Sequence, residues 1–552
     1  MAAMKWWGWG VDGVEFTHQD KPELGSFIKE KLDLDVERAT AAPTRFEDLD
    51  ISEPTLPDGL RDALAQAVGA EHVSVEKLDR VVHARGKSLR DLIRQRRGDL
   101  PRVPDVVVRP SSEDEVTAIL RAAMAADAVV IAFGGGSSIS GSLEAPAQET
   151  RPVISVDLGR LNRVLAIDGV SRLARVQAGV FGPHLEEQLN AQGYTFGHFP
   201  DSFTHSTLGG WIATRSSGMQ SDRYGDIADL TKGLRVVTPS GTLVTRAVPT
   251  TSSGPSVREM VLGSEGRLGL ITEATVHVCR TPERRTILGY LFPTFADGLA
   301  AIRDIAASEC AVSVTRVSDA PETQFSFATR KQPTLADKLQ SKALTTFLRR
   351  RLAFDLGQMC LSFIGYEGSD GHVAEQRKAV GKIVKRHGGL CIGSSPGALY
   401  DQKKFDTPYI RDFLLDRGAA ADVAETAMAW SQLTPVYEAV TVAAHRAFAE
   451  LGVHGYLMCH LSHSYHAGAC LYFTFAFEPT PGSDMITEYD VVKSAIQQAF
   501  VDNGATLSHH HAVGTEHARW LEQDVSTPGV VMLKALLDGT DPGRHLNPGK
   551  IV

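Results

Sequence analysis

The segment SHHHAVG, residues 508–514, places three consecutive histidines, His509, His510 and His511, well before the end of the chain. Imidazole gains or loses a proton near neutral pH, so such a run can hold or move protons in a pocket wall. Neighbouring side chains on a regular strand or helix point in different directions, which makes a three-histidine metal site awkward. The run therefore indicates proton chemistry, and the rest of the chain must identify the pocket.

A second segment of chemical interest is VVIAFGGGSSISG, residues 129–141, in which an apolar run ends in three glycines and two serines. Backbone amides without Cβ bulk and serine hydroxyls can bind pyrophosphate oxygens. The segment has neither P-loop spacing nor the G-x-G-x-x-G spacing of dinucleotide folds. Taken alone, it is equally consistent with a flexible tight turn.

Two further glycine-rich segments favour a large polar ligand. They are PDSFTHSTLGGWIATRSSG, residues 200–218, and GSEGRLGLITEA, residues 263–274. Three segments that expose their backbone are more than turns require. A cofactor lying along the backbone explains all three.

Composition limits the class of protein. The chain has 552 residues, of which 43% are hydrophobic and 22% charged, which predicts a globular protein of roughly two to four domains. A formal net charge of −9 argues against general nucleic-acid binding. The six cysteines form no C-x-x-C pair, which fits a reduced compartment. Neither a bilayer-length apolar run nor a secretory signal pattern is found, so we expect a cytoplasmic protein.

The elements that must position these segments follow from periodicity and turn signals. Residues 104–126 predict a strand and then a helix opened by a capping box of Ser112 and Glu115. Strands are also predicted at 129–133, 152–158, 174–180, 233–244 (a hairpin), 269–278, 310–317, 359–366 and 468–477, and helices at 75–97, 182–192, 295–308, 371–387, 420–450 and 487–503. Many strands without regular βαβ alternation predict an α+β fold.

The three glycine-rich segments, YHAGACLYFTFAF (465–477) and SHHHAVG resemble the vanillyl-alcohol oxidase-type FAD proteins in order and spacing. Within that superfamily the chain is most similar to the alkyldihydroxyacetonephosphate synthase family, from MKWWGWG (4–10) to DPGRHLNPGK (541–550). The resemblance implies a two-domain FAD-binding fold of the vanillyl-alcohol oxidase/PCMH type with an α+β substrate (cap) domain. We expect an N-terminal helical region at 1–100, the FAD-binding domain at 101–282, the cap domain at 283–500, and a C-terminal segment at 501–552 that returns the histidines to the FAD domain.

The resemblance also implies the site residues. The expected FAD-facing positions are Ala132, Phe133, Gly134, Gly135, Gly136, Ser137, Ser138, Asp201, Ser202, Ser206, Thr207, Thr214, Arg215, Ser216, Ser217, Glu265, Gly266, Leu268, Gly269 and Ile271. The glycine loop contains no histidine or cysteine, so noncovalent FAD is expected. The expected catalytic positions are Tyr472, His509, His510, His511, Arg316 and His198, with Arg411 as the substrate-binding arginine. No metal site is expected.

The activity implied by the resemblance involves no net redox change. In that family, flavin N5 attacks acyl-dihydroxyacetone phosphate, the fatty acid leaves, and a long-chain alcohol replaces it, which is a step of ether-lipid synthesis. A Tyr–His pair would move the proton, and the planar fork of an arginine would bind the phosphate. The residues alone leave an alternative role for each of these positions. Tyr472 could simply pack in the core, each histidine could be structural, and Arg411 could form a surface ion pair.

The nearest alternative is an FAD-linked D-2-hydroxyacid dehydrogenase of the D-lactate type. Those enzymes carry G-H-x-G-D-G-N and E-H-G-x-G, whereas this chain has SHSYHAGACLYF and HHHAVG. Both departures favour the synthase, although the tail LNPGK (546–550) is like that of the dehydrogenases. A non-catalytic flavin-binding protein is disfavoured because Tyr472, Arg316 and the histidines are all present.

Residues 333–354 predict a basic amphipathic helix that could contact a membrane or pack between domains. Its apolar members are Leu335, Leu339, Leu344, Phe347, Leu348 and Leu352, and its basic members are Lys338, Lys342 and Arg349 to Arg351. The chain ends in GKIV and not in S-K-L, so no peroxisomal signal is found. We expect a cytoplasmic homodimer that contacts the inner membrane face and takes lipid substrates.

Overall fold

The computed structural model describes residues 4–331, 346–350, 352, 354–405 and 408–552. Within these ranges the strands form sheets of four, five and seven strands and one two-stranded sheet. The described residues include the α-helices Leu24–Leu32, Leu60–Val68, Lys77–Val82, Leu89–Arg97, Glu113–Ala125, Gly182–Asn190, Leu208–Thr214, Ser221–Tyr224, Ile227–Leu230, Val257–Val261, Phe295–Ala306, Ala320–Ala328, Asp370–Arg386, Ser395–Lys403, Tyr409–Leu415, Leu433–Leu451, Met485–Asp502 and Leu521–Thr540. In this part of the chain, no helix combines the length and apolarity that a membrane crossing demands.

The four-stranded sheet carries the glycine loop. Its order is Val73–Ser74, Val106–Val108, Val153–Asp157 and Val129–Phe133, and the last three strands are parallel. These three strands are mostly valine and isoleucine, as expected for strands buried on both faces. The glycine loop follows Phe133, at the carboxyl end of an edge strand.

The helix Glu113–Ala125 confirms the predicted helix start, with one difference in its capping. The Ser112 hydroxyl accepts a hydrogen bond from the backbone N–H of Glu115, as a capping box requires. The Glu115 carboxylate accepts from the backbone N–H of Ser111, one residue earlier than expected. The cap therefore satisfies two donors, but it fixes the entering chain at Ser111.

The five-stranded sheet is antiparallel. The segment 263–274 leads into one of its strands, and the segment 200–218 packs against the sheet through the helix Leu208–Thr214. The strand order is Val164–Asp168, Leu173–Gln177, Leu270–His277, Thr231–Thr238 and Gly241–Val244. The last two strands confirm the predicted hairpin, with Thr238 paired to Gly241. Tyr194–Thr195 and Cys279–Arg280 form the two-stranded sheet.

The seven-stranded antiparallel sheet supplies the rest of the site. Its order is Leu390–Gly393, Arg284–Phe292, Cys360–Gly368, Val314–Ser318, Gly455–Ser464, Gly468–Phe477 and Ala420–Ala429. The largest apolar cluster packs the helices Phe295–Ala306, Leu433–Leu451 and Met485–Asp502 on one face of this sheet. The predicted strand at 468–477 is confirmed with these bounds.

The expected helical tract at 420–450 is wrong in its first ten residues, which form the strand Ala420–Ala429. Its sequence, AADVAETAMA, has the composition of a helix, but tertiary pairing overrides that preference. The strand pairs along its whole length with Gly468–Phe477, so that Ala420 lies opposite Phe477 and Ala424 opposite Phe473. The small alanines leave room for large aromatic rings, and the helix begins only at Leu433.

Candidate active site

A cavity of about 2110 Å³ lies where these sheets meet. Its wall includes the glycine loop at 132–138, parts of the segments 200–219 and 265–271, and one face of the seven-stranded sheet. His510, His511 and Asn547 line it from the C-terminal part of the chain. The three glycine-rich segments therefore do surround a single space, as their sequences predict.

The glycine loop is shaped first by its contact with the second segment. A Cβ on Gly135 would lie 1.9 Å from the carbonyl oxygen of His205, and one on Gly134 would lie 2.3 Å from the Thr207 hydroxyl oxygen. Gly136 has φ +72°, a left-handed conformation that favours glycine. Gly135 therefore permits close packing of backbone on backbone, Gly134 leaves room for the Thr207 side chain, and Gly136 permits the turn.

Most of the expected FAD-facing residues line the cavity. They are Ala132, Phe133, Gly134, Gly135, Gly136, Ser137, Ser138, Asp201, Ser202, Ser206, Thr207, Thr214, Ser216, Ser217, Glu265, Gly266, Gly269 and Ile271. Two residues differ from the expectation. Arg215 ends the helix Leu208–Thr214 in a left-handed conformation, and its exposed side chain pairs with Glu259 at 3.1 Å. Leu268 is buried in the protein and does not line the cavity.

Glu265 joins the third segment to the C-terminal segment. Its carboxylate accepts the backbone N–H groups of Val513 and Gly514 at about 3 Å and the hydroxyl of Ser142. Burial raises the pKa of this carboxyl group, although these hydrogen bonds act in the opposite direction. Because the carboxylate is already engaged, Glu265 shapes the wall of the site through the loops that it holds.

Asn547 provides an observation that fits a bound cofactor. Its amide nitrogen donates to the carbonyl oxygens of Ser142 and Glu265, at 2.9 and 2.7 Å. Its Oδ1 atom is buried and has no hydrogen-bond partner among the described residues, and the residue lines the cavity. A buried acceptor without a partner is costly, so a donor from a ligand suits this position. The backbone cradle and this acceptor fit FAD.

Strand pairing places four chemically active side chains in a row across the seven-stranded sheet. Tyr472 pairs directly with Glu425 on one side and with His460 on the other. His460 in turn pairs with Ser318, two residues beyond Arg316. Directly paired residues of antiparallel strands, and residues two apart on one strand, point to the same face. The row Glu425, Tyr472, His460 and Arg316 therefore lies on one face.

Glu425 organises the histidine run. Its carboxylate accepts the backbone N–H groups of His509, His510 and His511 at 2.8, 3.1 and 3.1 Å, and the hydroxyl of Ser508 at 2.8 Å. Burial acts to raise the pKa of Glu425, but the three imidazoles and these donors outweigh it and hold the pKa well below its ordinary value. The segment bends around one carboxylate and is neither strand nor helix, so its imidazoles can diverge.

Two of the three imidazoles face Tyr472. The His510 ring stacks on the Tyr472 ring at 6.0 Å between centroids, and the His511 ring meets it edge-on at 5.5 Å. Burial lowers the pKa of His511 to about 4 and that of His510 well below its ordinary value, so both rings are neutral near pH 7. Burial raises the pKa of Tyr472, whose hydroxyl makes no hydrogen bond within the described ranges. This hydroxyl is thus available to a ligand.

Arg316 and Arg411 both line the cavity. Arg316 pairs with Glu322 and lies 3.2 Å from His460 Nδ1. Burial alone would raise the pKa of Glu322, but His460 and Arg316 lower it to about 2, so the pair is ionised. Arg411 is buried, and its guanidinium lies 3.8 Å from the Asp422 carboxylate. Its ion pair is therefore internal and is not the surface ion pair that the sequence left possible. Its Nε atom has no partner among the described residues.

His198 does not reach the cavity, contrary to its expected catalytic position. It is 1% exposed, packs against Trp211, and its Nε2 lies 2.9 Å from the Ser216 hydroxyl. Burial lowers the pKa of His198 to about 3, which keeps the ring neutral. His198 therefore supports Ser216, a residue of the cavity wall, from behind.

His509 also turns away from the cavity. Its Nε2 lies 2.6 Å from the Tyr465 hydroxyl, and its Nδ1 lies 2.9 Å from His510 Nδ1. In the described residues, ligand atoms of His463, Cys470, His509 and His510 lie within 4.8 Å of one another, a spacing that could hold a metal ion. Both ring nitrogens of His463 are already hydrogen-bonded, to Ser462 and to the Gly218 carbonyl. Burial also raises the pKa of the Cys470 thiol well above its ordinary value, so the thiol is protonated near pH 7.

Sequence reasoning missed Glu425, His460 and Asn547. Glu425 lay in a tract that was expected to be helical, so its pairing with Tyr472 was not foreseen. His460 lies twelve residues before Tyr472 on the neighbouring strand, a separation typical of a hairpin partner, and this spacing could have identified it. Asn547 belongs to LNPGK, which the sequence had marked without giving it a role.

Comparison with known proteins places the chain in a family. A family model of an FAD binding domain matches residues 104–246, and a model of the C-terminal domain of FAD linked oxidases matches residues 281–551. The mitochondrial D-lactate dehydrogenase [cytochrome] of Arabidopsis thaliana is 27% identical, over 82% of this chain and 74% of that protein. These matches confirm FAD as the cofactor class.

Alkyldihydroxyacetonephosphate synthase of Dictyostelium discoideum is 37% identical, over 100% of this chain and 93% of that protein. A solved structure of an alkyldihydroxyacetonephosphate synthase superposes with a TM-score of 0.86 at 36% identity, covering 99% of this chain and 98% of that one. The predicted two-domain FAD-binding fold is confirmed by this match. The chain therefore belongs to the alkyldihydroxyacetonephosphate synthase family of FAD-binding proteins.

Proposed function

We propose that this protein exchanges the acyl group of acyl-dihydroxyacetone phosphate for a long-chain alcohol, the activity in the name of its relatives. The observation that carries the proposal is the row of Tyr472, His460 and Arg316 beside His510 and His511, facing a cavity that FAD fits. A proton carrier and fixed cations next to one cofactor site are what this exchange requires.

Bound FAD supplies a nucleophilic ring nitrogen to this reaction. The chain supplies the proton chemistry, because the neutral imidazoles of His510 and His511 lie against the Tyr472 ring. A protonated phenol beside neutral imidazoles can donate its proton and recover it by way of a ring nitrogen. Tyr472 is thus proposed as the group that touches the substrate, with one of the histidines as its proton partner.

The proposed phosphate site lies at Arg316 and Arg411. Glu322 and His460 fix the Arg316 guanidinium, and the Arg411 guanidinium lies 3.8 Å from the Asp422 carboxylate. A guanidinium whose rotamer is fixed in advance loses less entropy when it binds a phosphate. Buried carboxylates offset part of each positive charge, so these arginines bind an anion by geometry more than by net charge.

The lipid chains have a matching wall in the same cavity. One part is lined by apolar side chains, which include Leu291, Leu348, Met359, Leu361 and Phe363. Another part is lined by Phe27, Ile28, Leu32, Phe325 and Phe327. A hydroxyacid such as D-lactate would leave these surfaces in contact with water, whereas a long acyl or alkyl chain would cover them.

The alternative hypothesis, a D-2-hydroxyacid dehydrogenase, rests on the tail LNPGK, which is like that of those enzymes. The structure gives that tail a packing role: Asn547 binds two backbone carbonyls, and Lys550 Nζ donates to the Glu144 carbonyl oxygen at 2.6 Å. Both contacts stabilise the FAD-binding side of the molecule. The shared tail therefore indicates similar packing around the cofactor site and does not identify the substrate.

Membrane contact, a cytoplasmic location and a homodimer remain part of the proposal. Most of the segment 333–354, including Leu335, Lys338, Leu339, Lys342, Leu344 and Arg351, lies outside the described residues. Of its described members, Phe347 and Leu352 are 45% and 41% exposed, whereas Leu348 is 2% exposed and packs in the core. Binding to anionic liposomes that salt reverses, and that Phe347→Glu weakens, would support contact; failure to pellet at low salt would exclude it. Light scattering of the purified protein tests the homodimer.

The proposed activity is tested with purified protein, acyl-dihydroxyacetone phosphate and a labelled long-chain alcohol. We expect labelled alkyl-dihydroxyacetone phosphate and one free fatty acid for each product formed. D-lactate should not bleach the flavin absorbance under argon. Bleaching by D-lactate, together with no alkyl product, would show the dehydrogenase activity instead.

A further inference from the structure

An unbroken line of hydrogen-bonding groups runs from the cavity wall into the protein behind it. His510 Nδ1 lies 2.9 Å from His509 Nδ1, and His509 Nε2 lies 2.6 Å from the Tyr465 hydroxyl. That hydroxyl donates to Asp226 Oδ2 at 2.7 Å. His510 lines the cavity, whereas Asp226 is half-buried behind it and opens the short helix Ile227–Leu230. The Asp226 Oδ1 atom is buried and has no hydrogen-bond partner among the described residues. We propose that His509, Tyr465 and Asp226 form a relay that carries a proton from the active site to the Asp226 carboxylate.

The donors in this line can all point outward. If His510 carries its proton on Nδ1, His509 accepts it at Nδ1 and carries its own proton on Nε2, from which it donates to Tyr465. Tyr465 donates to the carboxylate of Asp226. A proton that arrives on His510 Nε2 from the Tyr472 side then displaces one proton at each step, and the last one reaches Asp226. Every intermediate group ends with as many protons as it began with, so only one proton has crossed.

The surroundings of the relay keep its last group, Asp226, ionised. Its neighbours are His463, whose ring centroid lies 5.3 Å from that of His509, the Cys470 thiol, and the carboxylates Glu425 and Asp222. Burial acts to raise the pKa of Asp226, but the nearby imidazoles of His463 and His509 outweigh it, so this pKa lies below its ordinary value. The Asp226 carboxylate is therefore ionised near pH 7 and can accept the proton that Tyr465 delivers.

The relay also assigns separate tasks to the three histidines. Glu425 fixes the backbone of all three, His510 and His511 face Tyr472, and only His509 turns towards Tyr465. A metal at His463, Cys470, His509 and His510 would occupy the same nitrogens. Metal analysis of the purified protein distinguishes the two arrangements. A stoichiometric metal ion whose removal by a chelator abolishes activity would overturn the relay.

The first test measures turnover, and it rests on the proposed synthase activity. Tyr465→Phe removes the relay hydroxyl and keeps the ring, and Asp226→Asn keeps a good helix cap. We expect each to lower kcat by roughly tenfold or more, with KM and the flavin spectrum unchanged and with partial rescue by added imidazole. Tyr224→Phe is the matched control, since its hydroxyl also donates to a buried carboxylate, Glu367, outside the relay. Equal kcat in Tyr465→Phe and Tyr224→Phe would overturn the relay.

The second test needs no turnover. In protein labelled with ¹⁵N-histidine, the relay requires the wild-type His509 ring to carry its proton on Nε2. Tyr465→Phe should alter the His509 nitrogen shifts, and Tyr224→Phe should leave them unchanged. A His509 ring protonated on Nδ1 would overturn the outward direction of the relay. If the wild type makes no alkyl product, the proposed function fails while this measurement still decides the relay.

Discussion

A single carboxylate determines the geometry of three histidines. Glu425→Gln replaces an oxygen that accepts backbone N–H groups with an amide that cannot accept from all of them. Each buried backbone N–H that is left without an acceptor costs about 1–3 kcal/mol. We therefore expect a clear fall in Tm at pH 7 and near-complete loss of turnover, with Glu438→Gln, an exposed position on the helix Leu433–Leu451, as the control.

The pH dependence of the Glu425→Gln effect has a definite sign. The folded-state pKa of Glu425 is well below its ordinary value, so its contribution to stability is complete above the unfolded-state pKa of about 4.3. That contribution is lost as the pH falls towards the folded-state pKa. The Tm difference between wild type and variant should therefore be largest near pH 7 and should narrow below pH of about 4. A constant difference across this range would contradict the ionised-carboxylate account.

Tyr472 and His510 form one contact, so their substitutions should not add. Tyr472→Phe and His510→Ala each remove one side of the proposed proton transfer while leaving the FAD cradle intact. We expect each single variant to lose almost all turnover and the double variant to be hardly worse, because residues that act as a unit are non-additive. Flavin absorbance should persist in all three proteins. Additive losses would mean that the two residues act in separate steps.

At the scale of elements, the glycine loop depends on its contact with the segment after Asp201. Gly135→Ala would place a Cβ against the backbone of His205, which no side-chain rotation can relieve. We expect the loop to separate from that segment and FAD retention to fall, measured by the ratio of flavin to protein absorbance. Gly381→Ala is the control and should have the opposite effect. Gly381 lies in the helix Asp370–Arg386, and a Cβ added there would meet no atom within 4 Å. This substitution should therefore stabilise the fold by about 0.5–1 kcal/mol. Full flavin retention in Gly135→Ala would refute the packing argument.

The sequence predicted elements best where one signal acted alone. The cap at Ser112 and the aromatic strand Gly468–Phe477 needed only local information. Ala420–Ala429 could not be predicted in this way, because its partner strand, and not its composition, makes it a strand. The FAD-facing segments were recognisable because exposed backbone requires glycine, but side-chain direction at Arg215 and His198 depends on packing that no spacing reveals.

At the scale of the whole molecule, the site exists only when the three larger sheets and the C-terminal segment are assembled. The four-stranded sheet supplies the glycine loop, the seven-stranded sheet supplies Tyr472 and Arg316, and the C-terminal segment supplies the histidines. Leu546 bridges to Val130 beside the glycine loop, which ties the end of the chain to its FAD-binding side. Residues more than 400 positions apart thus meet at one cavity. Local sequence patterns cannot predict such contacts, so only the family resemblance indicated that these residues share a site.

This assembly predicts how the intact protein responds to its cofactor. A ligand that contacts all of these parts stabilises them together, by about 2.7 kcal/mol when its free concentration is 100 times Kd. We therefore expect the FAD-free protein to melt at a lower temperature, and added FAD to restore a single transition that includes both the sheets and the histidine segment. The glycine loop offers no histidine or cysteine for a covalent bond, so acid precipitation should release yellow FAD into the supernatant. Colour that stays with the pellet would contradict noncovalent binding. A melting temperature that does not change when FAD is added would mean that the cofactor does not stabilise these parts together.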